Sequence, residues 1–448
     1  MSHEAEDPAT PRAGAPSAEP SGPPAEGHAP VDTTAMGRAS EVPGPCGRAT
    51  TLYRLVDLDA LRAFALLGIF LVNVQTFADP ASLLGTPSPT DAAGTAAHAL
   101  VAGLLMGKFY ILFSFLFGYS FALLWQATAR RAAAAGRPDD FAAVALRRFA
   151  GLFVLGLAHG LLLFTGDILL TYALAGTLLL GLRYIGPRAA RVTAAIIIGV
   201  VGAGMVAIAA LMGLALSAPE FESMLQSELS ATANLLAQPY AQFLIGIYPS
   251  TLASMVFVQG PVAFSAFLVG LSAAKDHWFE RLTRRTLLRV LLVGAAVGLP
   301  GAAATAWAYV GLHPLVGSTA AFGVAALTGP FLTAAYVAAL LLLFRSGPGR
   351  RVRNALVPAG QMALSNYLGQ SVVMVAIYTD YGLDLANRVH PFAALGICGA
   401  VFAAQLVLSA LWMRRFARGP VEGLLRALTY WQRPSWRRGA PEPEPVRG

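Results

Sequence analysis

Ten apolar runs divide the chain, with approximate limits 60–77, 107–126, 148–165, 167–183, 192–216, 249–274, 287–311, 319–344, 358–378 and 391–413. Each is close to the length of about 20 residues that an α-helix needs to cross a hydrocarbon core. The pattern predicts an all-α, polytopic membrane protein of about ten transmembrane helices. Residues 1–50 break it, being rich in Pro, Ala, Gly and Glu with almost no large apolar side chains. Such a segment cannot bury enough surface to fold, and it lacks the charged-then-apolar order of a secretory signal. The expected organisation is a disordered cytosolic tail over 1–50, one transmembrane helical domain over 51–430, and a second disordered cytosolic tail over 431–448.

The polar loops set an orientation. Arg130, Arg131 and Arg137 follow the second run, and Arg183, Arg188 and Arg191 the fourth. Lys275, Arg281, Arg284 and Arg285 follow the sixth, Arg345, Arg350, Arg351 and Arg353 the eighth, and Arg414, Arg415 and Arg418 the tenth. The alternate loops, 78–98 and 217–248, carry carboxylates instead: Asp79, Asp91, Glu220, Glu222 and Glu228. This bias predicts a multi-pass membrane protein with both termini cytoplasmic. The stretch from Ser217 to Tyr248 mixes acidic and apolar residues and predicts an amphipathic helix on the outer face, a lid or a plain connector.

Composition changes the picture in one respect. Charged residues make up 12% of the chain, against about 25% in soluble domains, and the mean hydropathy is +0.59. The net charge of +8 would suit nucleic acid, but the arginines are spread over loops between apolar spans, which argues against nucleic-acid binding. Two cysteines, Cys46 and Cys398, cannot build a disulfide framework or a metal cluster. The sequence offers no phosphate-binding glycine loop, metal-ligand spacing or serine elbow, so no metal and no tightly bound cofactor are expected.

Candidate chemistry is confined to polar residues inside the spans. Between Arg147 and Arg183 two apolar helices are joined by the turn Phe164-Thr165-Gly166-Asp167. His159 lies about 16 Å of helix beyond Arg148, about halfway through a core roughly 30 Å thick. An ionisable group there is costly and marks a functional site, or else it hydrogen-bonds a neighbouring helix and holds the bundle together. In the first span Asp59, Arg62 and Asn73 share one face, with Asn73 at a depth similar to His159. Lys108 opens the second span at the level of Asp167, so the two are placed to pair. The ninth span carries Gln361, Ser365, Asn366 and Gln370 within ten residues.

Four stretches carry a resemblance: LDALRAFALLGIFLVNVQ from Leu58, KFYILFSFLFG from Lys108, GLAHGLLLFTGDILLTYALAG from Gly156, and AGQMALSNYLGQS from Ala359 with YGLDL following. With RRFARGPVEGLLRALTY from Arg414 they resemble the YeiB-like family of bacterial inner-membrane proteins, domain of unknown function 418. That family is more distantly similar to multi-span membrane acyltransferases, the acyltransferase-three group and heparan glucosaminide acetyltransferase. The shared part is Asp59, Arg62 and Asn73. Two features depart from those enzymes: Arg62 is followed by Ala63 in place of glycine, and Phe77-Ala78-Asp79-Pro80 carries no histidine where the heparan-type enzymes place theirs.

The resemblance implies transfer of an acyl group from cytosolic acyl-CoA, as co-substrate, to an extracytoplasmic or lipid-linked acceptor. His159 would be the base and Asn73 would position the thioester. Asp59, Arg62, Lys108, Arg148, Asp167, Asn366 and Gln370 would bind substrate. Partners would be membrane lipids, acyl-CoA and a glycan or lipid acceptor. Two alternatives stay open: a transporter or exporter of a small hydrophobic or lipidic molecule, and a noncatalytic membrane partner.

Overall fold

A computed structural model describes residues 45–84, 88, 90–431 and 436–437. The described residues from 49 onward form one unit; of residues 1–48 only the start of the first helix, from Pro45, is described. Most of the two segments read as disordered tails therefore lies outside the described residues. Among the described residues the structure is helical throughout, with no strand, as the hydropathy pattern predicts.

Every predicted apolar run lies mostly in helix. Helix α1 (Pro45–Ala78) holds the first; α2 (Ala92–Leu100) leads through a π-turn at Val101–Leu105 into α3 (Lys108–Ala134). Next come α4 (Phe141–Leu162), α5 (Leu169–Gly181) and α6 (Pro187–Ala215). The 217–248 loop does hold the predicted helix, α7 (Pro219–Leu236). Helix α8 (Tyr240–Ser254) passes through a second π-turn, Met255–Gln259, into α9 (Gly260–Lys275). The one-turn α10 (Trp278–Arg281) precedes α11 (Arg284–Gly311) and α12 (Pro314–Phe344). The chain ends with α13 (Gly347–Gln361), α14 (Ala363–Tyr378), α15 (Pro391–Arg415) and α16 (Pro420–Tyr430).

Among the described residues eight helical segments are long and apolar enough to cross a membrane. The other two predicted spans are shorter: α5 has 13 residues and α14 has 16, or about 20 and 24 Å of helix. The ninth predicted span, 358–378, is not continuous but breaks at Met362, between α13 and α14. Proline at the first turn starts α6, α7, α12, α15 and α16, where a missing N–H costs nothing. Valines, leucines and isoleucines stay exposed along α6, α11 and α15, as expected of helices that face lipid. The chain is an all-α polytopic membrane protein.

The short helices are buried because the core closes on them. In α3 and α9, Gly118 and Gly270 let the backbones touch. A Cβ on Gly118 would stand 2.2 Å from the carbonyl oxygen of Phe267, and one on Gly270 2.1 Å from that of Phe115. Small residues of this kind replace the hydrophobic effect as the means of close packing in lipid. Phe117 stacks on Phe267, and Tyr172 meets both rings edge to face, at centroid distances of 4.7–5.5 Å, fastening α5 to that pair. Tyr172 also shares a 2.6 Å hydrogen bond with Ser114.

Candidate functional site

Helix α4 buries one face, Ala145, Phe149, Leu152, Gly156 and His159, spaced three or four residues apart. The turn after it is tight: the amides of Leu163 and Phe164 both donate to the His159 carbonyl, each at 2.9 Å. The chain then reverses and brings Asp167, ahead of α5, back beside the imidazole. Only glycine at position 156 permits this. A Cβ there would stand 2.4 Å from the Leu170 nitrogen and 2.6 Å from Asp167 Oδ2.

Three side chains meet at this point. His159 Nδ1 lies 2.8 Å from Asp167 Oδ1, and His159 Nε2 lies 2.8 Å from Ser371 Oγ of α14. Leu170 N–H donates to Asp167 Oδ2 at 2.9 Å, so the carboxylate is held by both oxygens at the positive end of α5. A carboxylate only accepts, which places the proton on Nδ1 and leaves Nε2 to accept from the serine hydroxyl. Relative exposures are 2% for His159, 3% for Asp167 and 4% for Ser371. Such a chain can draw the proton from a hydroxyl and return it. Close by, the buried hydroxyls of Tyr367, whose ring lies 5.0 Å from the imidazole, and of Tyr248, whose ring fits against Gly160, have no hydrogen-bond partner.

A cavity of about 260 Å³ opens at one end of the bundle. Arg62, Ser120, Arg148, Gln361 and Glu422 line its polar part; Leu66, Ile69, Phe113, Phe117, Leu152, Tyr172 and Tyr367 line the rest. Arg62 pairs with Asp59 and donates to Ser120 Oγ at 2.6 Å, and Gln361 donates to Asp59 at 3.2 Å. Glu422 reaches in from α16 and accepts from the amides of Leu364 and Ser365 at 2.7 and 3.0 Å, capping α14. Tyr367 separates this cavity from the imidazole; its ring lies 5.0 Å from that of His159.

A second cavity, about 430 Å³, opens at the opposite end. Phe77, Phe164, Thr165, Tyr240, Tyr378, Asp380, Asp384, Asn387 and Arg388 are among its walls, and the end of α7 covers it. Phe164 stacks on Phe77 at 4.8 Å and lies 6.3 Å from the His159 ring, forming the partition on this side. Asp384 and Asn387 adopt left-handed backbone, φ 50° and 58°, which folds the 379–390 loop back so that Asn387 N–H reaches the Ala78 carbonyl at 2.7 Å. A third, smaller cavity shares Asn387 and Arg388 and adds Gln75, Asp79, His98 and His390. At its edge, hydrogen bonds from His390 and then from Gly94 N–H hold the Asp91 carboxyl below the usual carboxylate range.

The predicted site residues do not all converge on one place. Arg62 and Arg148 share one cavity with Gln361, and Asp59 sits at its edge, bonded to Arg62 and Gln361. His159 and Asp167 are bonded to each other. Lys108 does not pair with Asp167: it is buried, and its Nζ donates to the Ala102 carbonyl at 3.3 Å, in the π-turn ahead of it. Asn73 continues the Arg62–Leu66–Ile69 face of α1 one turn further, half-buried, and does not meet the imidazole, whose free nitrogen is taken by Ser371. Asn366 and Gln370 tie α14 to α15, through Ser409 at 3.0 Å and Gln405 at 2.9 Å, and leave cavity lining to Gln361 and Tyr367. Ser371 is the residue that the sequence reading passed over. Its one signal is its place on the buried stripe of α14, four residues after Tyr367.

Residues 273–432 match the family model described as "Protein of unknown function (DUF418)". Over 411 residues the chain is 29% identical to the uncharacterized protein YxaH of Bacillus subtilis, covering 85% of this chain and 95% of that one. It is 26% identical over 400 residues to the uncharacterized protein YeiB of Escherichia coli, covering 84% and 96%. The chain is thus similar to YeiB and YxaH over most of its length and to the DUF418 family over its C-terminal part. No solved structure matches it. The DUF418 region contributes Tyr367, Ser371 and Glu422, whereas Arg62, Arg148, His159 and Asp167 precede it, so the site is assembled from both parts of the chain.

Proposed function

We propose that this protein is a plasma-membrane acyltransferase. An acyl-CoA enters from the arginine-rich end, taken as cytoplasmic from the loop charges, and an acceptor hydroxyl or amine enters from the opposite end. Arg62 and Arg148 attract the phosphates of CoA, and the apolar depth of their cavity receives the acyl chain. His159, oriented by Asp167, takes the acceptor's proton, a task suited to an imidazole. The observation that carries this reading is the position of the buried His159–Asp167 pair. It lies between two cavities that open at opposite ends, with one aromatic ring, Tyr367 or Phe164, on each side.

Protein purified in detergent and given acetyl-, octanoyl- and palmitoyl-CoA should release free CoA thiol from at least one of them. His159→Gln should lower that rate by about 10²-fold or more while the variant keeps its elution profile and melting temperature. Binding without CoA release, together with flux of intact probe across vesicles, would make the same path a transport route and refute the enzymatic reading.

A further inference from the structure

We propose that Ser371 is a nucleophile and that the acyl group passes through a covalent acyl-serine intermediate. This rests on the acyltransferase reading and adds a step to it. Three observations carry it. Ser371 Oγ lies 2.8 Å from His159 Nε2, the only ring nitrogen that Asp167 leaves free. The carboxylate, imidazole and hydroxyl thus form one line, as base and nucleophile must in any activated serine. Ser371 stands one helical turn beyond Tyr367, on the same buried face of α14, so it lies next to the ring that closes the Arg62–Arg148 cavity.

The steps balance. Ser371 Oγ attacks the thioester carbonyl carbon, forming a C–O bond, as its proton passes to His159 Nε2. The C–S bond breaks, and the CoA sulfur leaves with that proton as a free thiol. An acceptor hydroxyl or amine then gives its proton to Nε2 and attacks the ester carbon. The C–O bond to Ser371 breaks, and Oγ recovers the proton. No oxidant, reductant or metal is needed. The negative oxygen formed at each addition needs a donor, and the unpartnered hydroxyls of Tyr248, beside Gly160, and of Tyr367, whose ring lies 5.0 Å from the imidazole, are groups of that kind. The intermediate also lets one acyl group be handed between two cavities that need not be open together, since Tyr367 would move to admit the donor and Phe164 to admit the acceptor.

The test is the mass of the intact protein after an acid quench, with octanoyl-CoA or acetyl-CoA added and no acceptor present. The wild type is expected to gain one acyl group, located by fragmentation at Ser371, with a burst of one CoA per protein. Ser371→Ala should lose the adduct and the burst. Ser371→Cys, which preserves size and a nucleophilic atom, should form an adduct that neutral hydroxylamine removes, a thioester in place of an oxygen ester. A packing role for Ser371 would not change the linkage. Wild-type rates of CoA release in Ser371→Ala, with His159→Gln inactive, would overturn the covalent step and leave direct transfer standing. No CoA release and no adduct from the wild type would remove the acyltransferase reading itself.

Discussion

At the scale of single residues, Gly156 and Asp167 decide the site together. Asp167 reaches His159 only because position 156 carries no side chain. Gly156→Ala should therefore push α4 and α5 apart and destabilise the protein by about 1–3 kcal/mol, the usual range for overpacking. Thermal unfolding in detergent measures this, and activity should fall with it. Asp167→Asn is the softer change. It keeps the volume but removes the acceptor that fixes the imidazole tautomer, so CoA release should fall much more than the melting temperature does. At the opposite end, the lowered Asp91 carboxyl makes a pH prediction. Its bonds to His390 and Gly94 favour folding above the ordinary Asp value of about 4 and fade as the pH falls through the depressed folded value. Asp91→Asn should flatten that acid limb of the melting curve.

Much of this was legible beforehand, and the failures have physical causes. His159 stood out because an imidazole inside an apolar run is costly, and Asp167 because it follows in a short turn. Ser371 did not, because a serine in a membrane helix is common and cheap, and its meaning comes only from a partner 212 residues away. Asn73 was matched to His159 by depth along its helix, but depth does not fix which helices are neighbours. Lys108 was paired with Asp167 by the same reasoning, before the π-turn at 101–105 supplied a carbonyl and His159 took the carboxylate.

Among the elements, α14 is the most exposed to loss. It is short, begins at a break in the chain, and its first amides depend on Glu422 from α16. Glu422→Ala should destabilise the protein by about 0.5–2 kcal/mol, as for a lost helix cap, and should loosen the cavity that Glu422 lines. The melting temperature, with hydrogen exchange over 363–368, checks both. The amide pairs to α15 matter less. Gln370→Leu removes one interhelical bond, an interaction worth about 0.6 kcal/mol in membrane helices, and should leave CoA release near the wild-type rate. The ten apolar runs located these elements well. The break at Met362 escaped notice because Gln361, Met362 and Ala363 are ordinary helix formers; tertiary packing, with Gly360 pressed against the Asp59 carbonyl, interrupts the helix there.

For the whole molecule, the helices place two of the cavities on either side of one buried hydrogen-bonded chain, and the orientation expected from the loop charges would give those two a direction. Single cysteines introduced at Arg353 and at Asp384, with Cys46 and Cys398 replaced, should be labelled from opposite sides of intact cells. The most direct measurement is made on sealed proteoliposomes of known orientation, with labelled octanoyl-CoA on the side of the Arg62–Arg148 cavity and total membrane lipid plus a glycan mixture on the other. The labelled acyl group should appear on acceptor only when donor is on the arginine side, and should vanish with His159→Gln. Acyl transfer that is indifferent to the donor's side, or equal in the His159→Gln protein, would contradict a reacting centre at His159 between two opposed cavities.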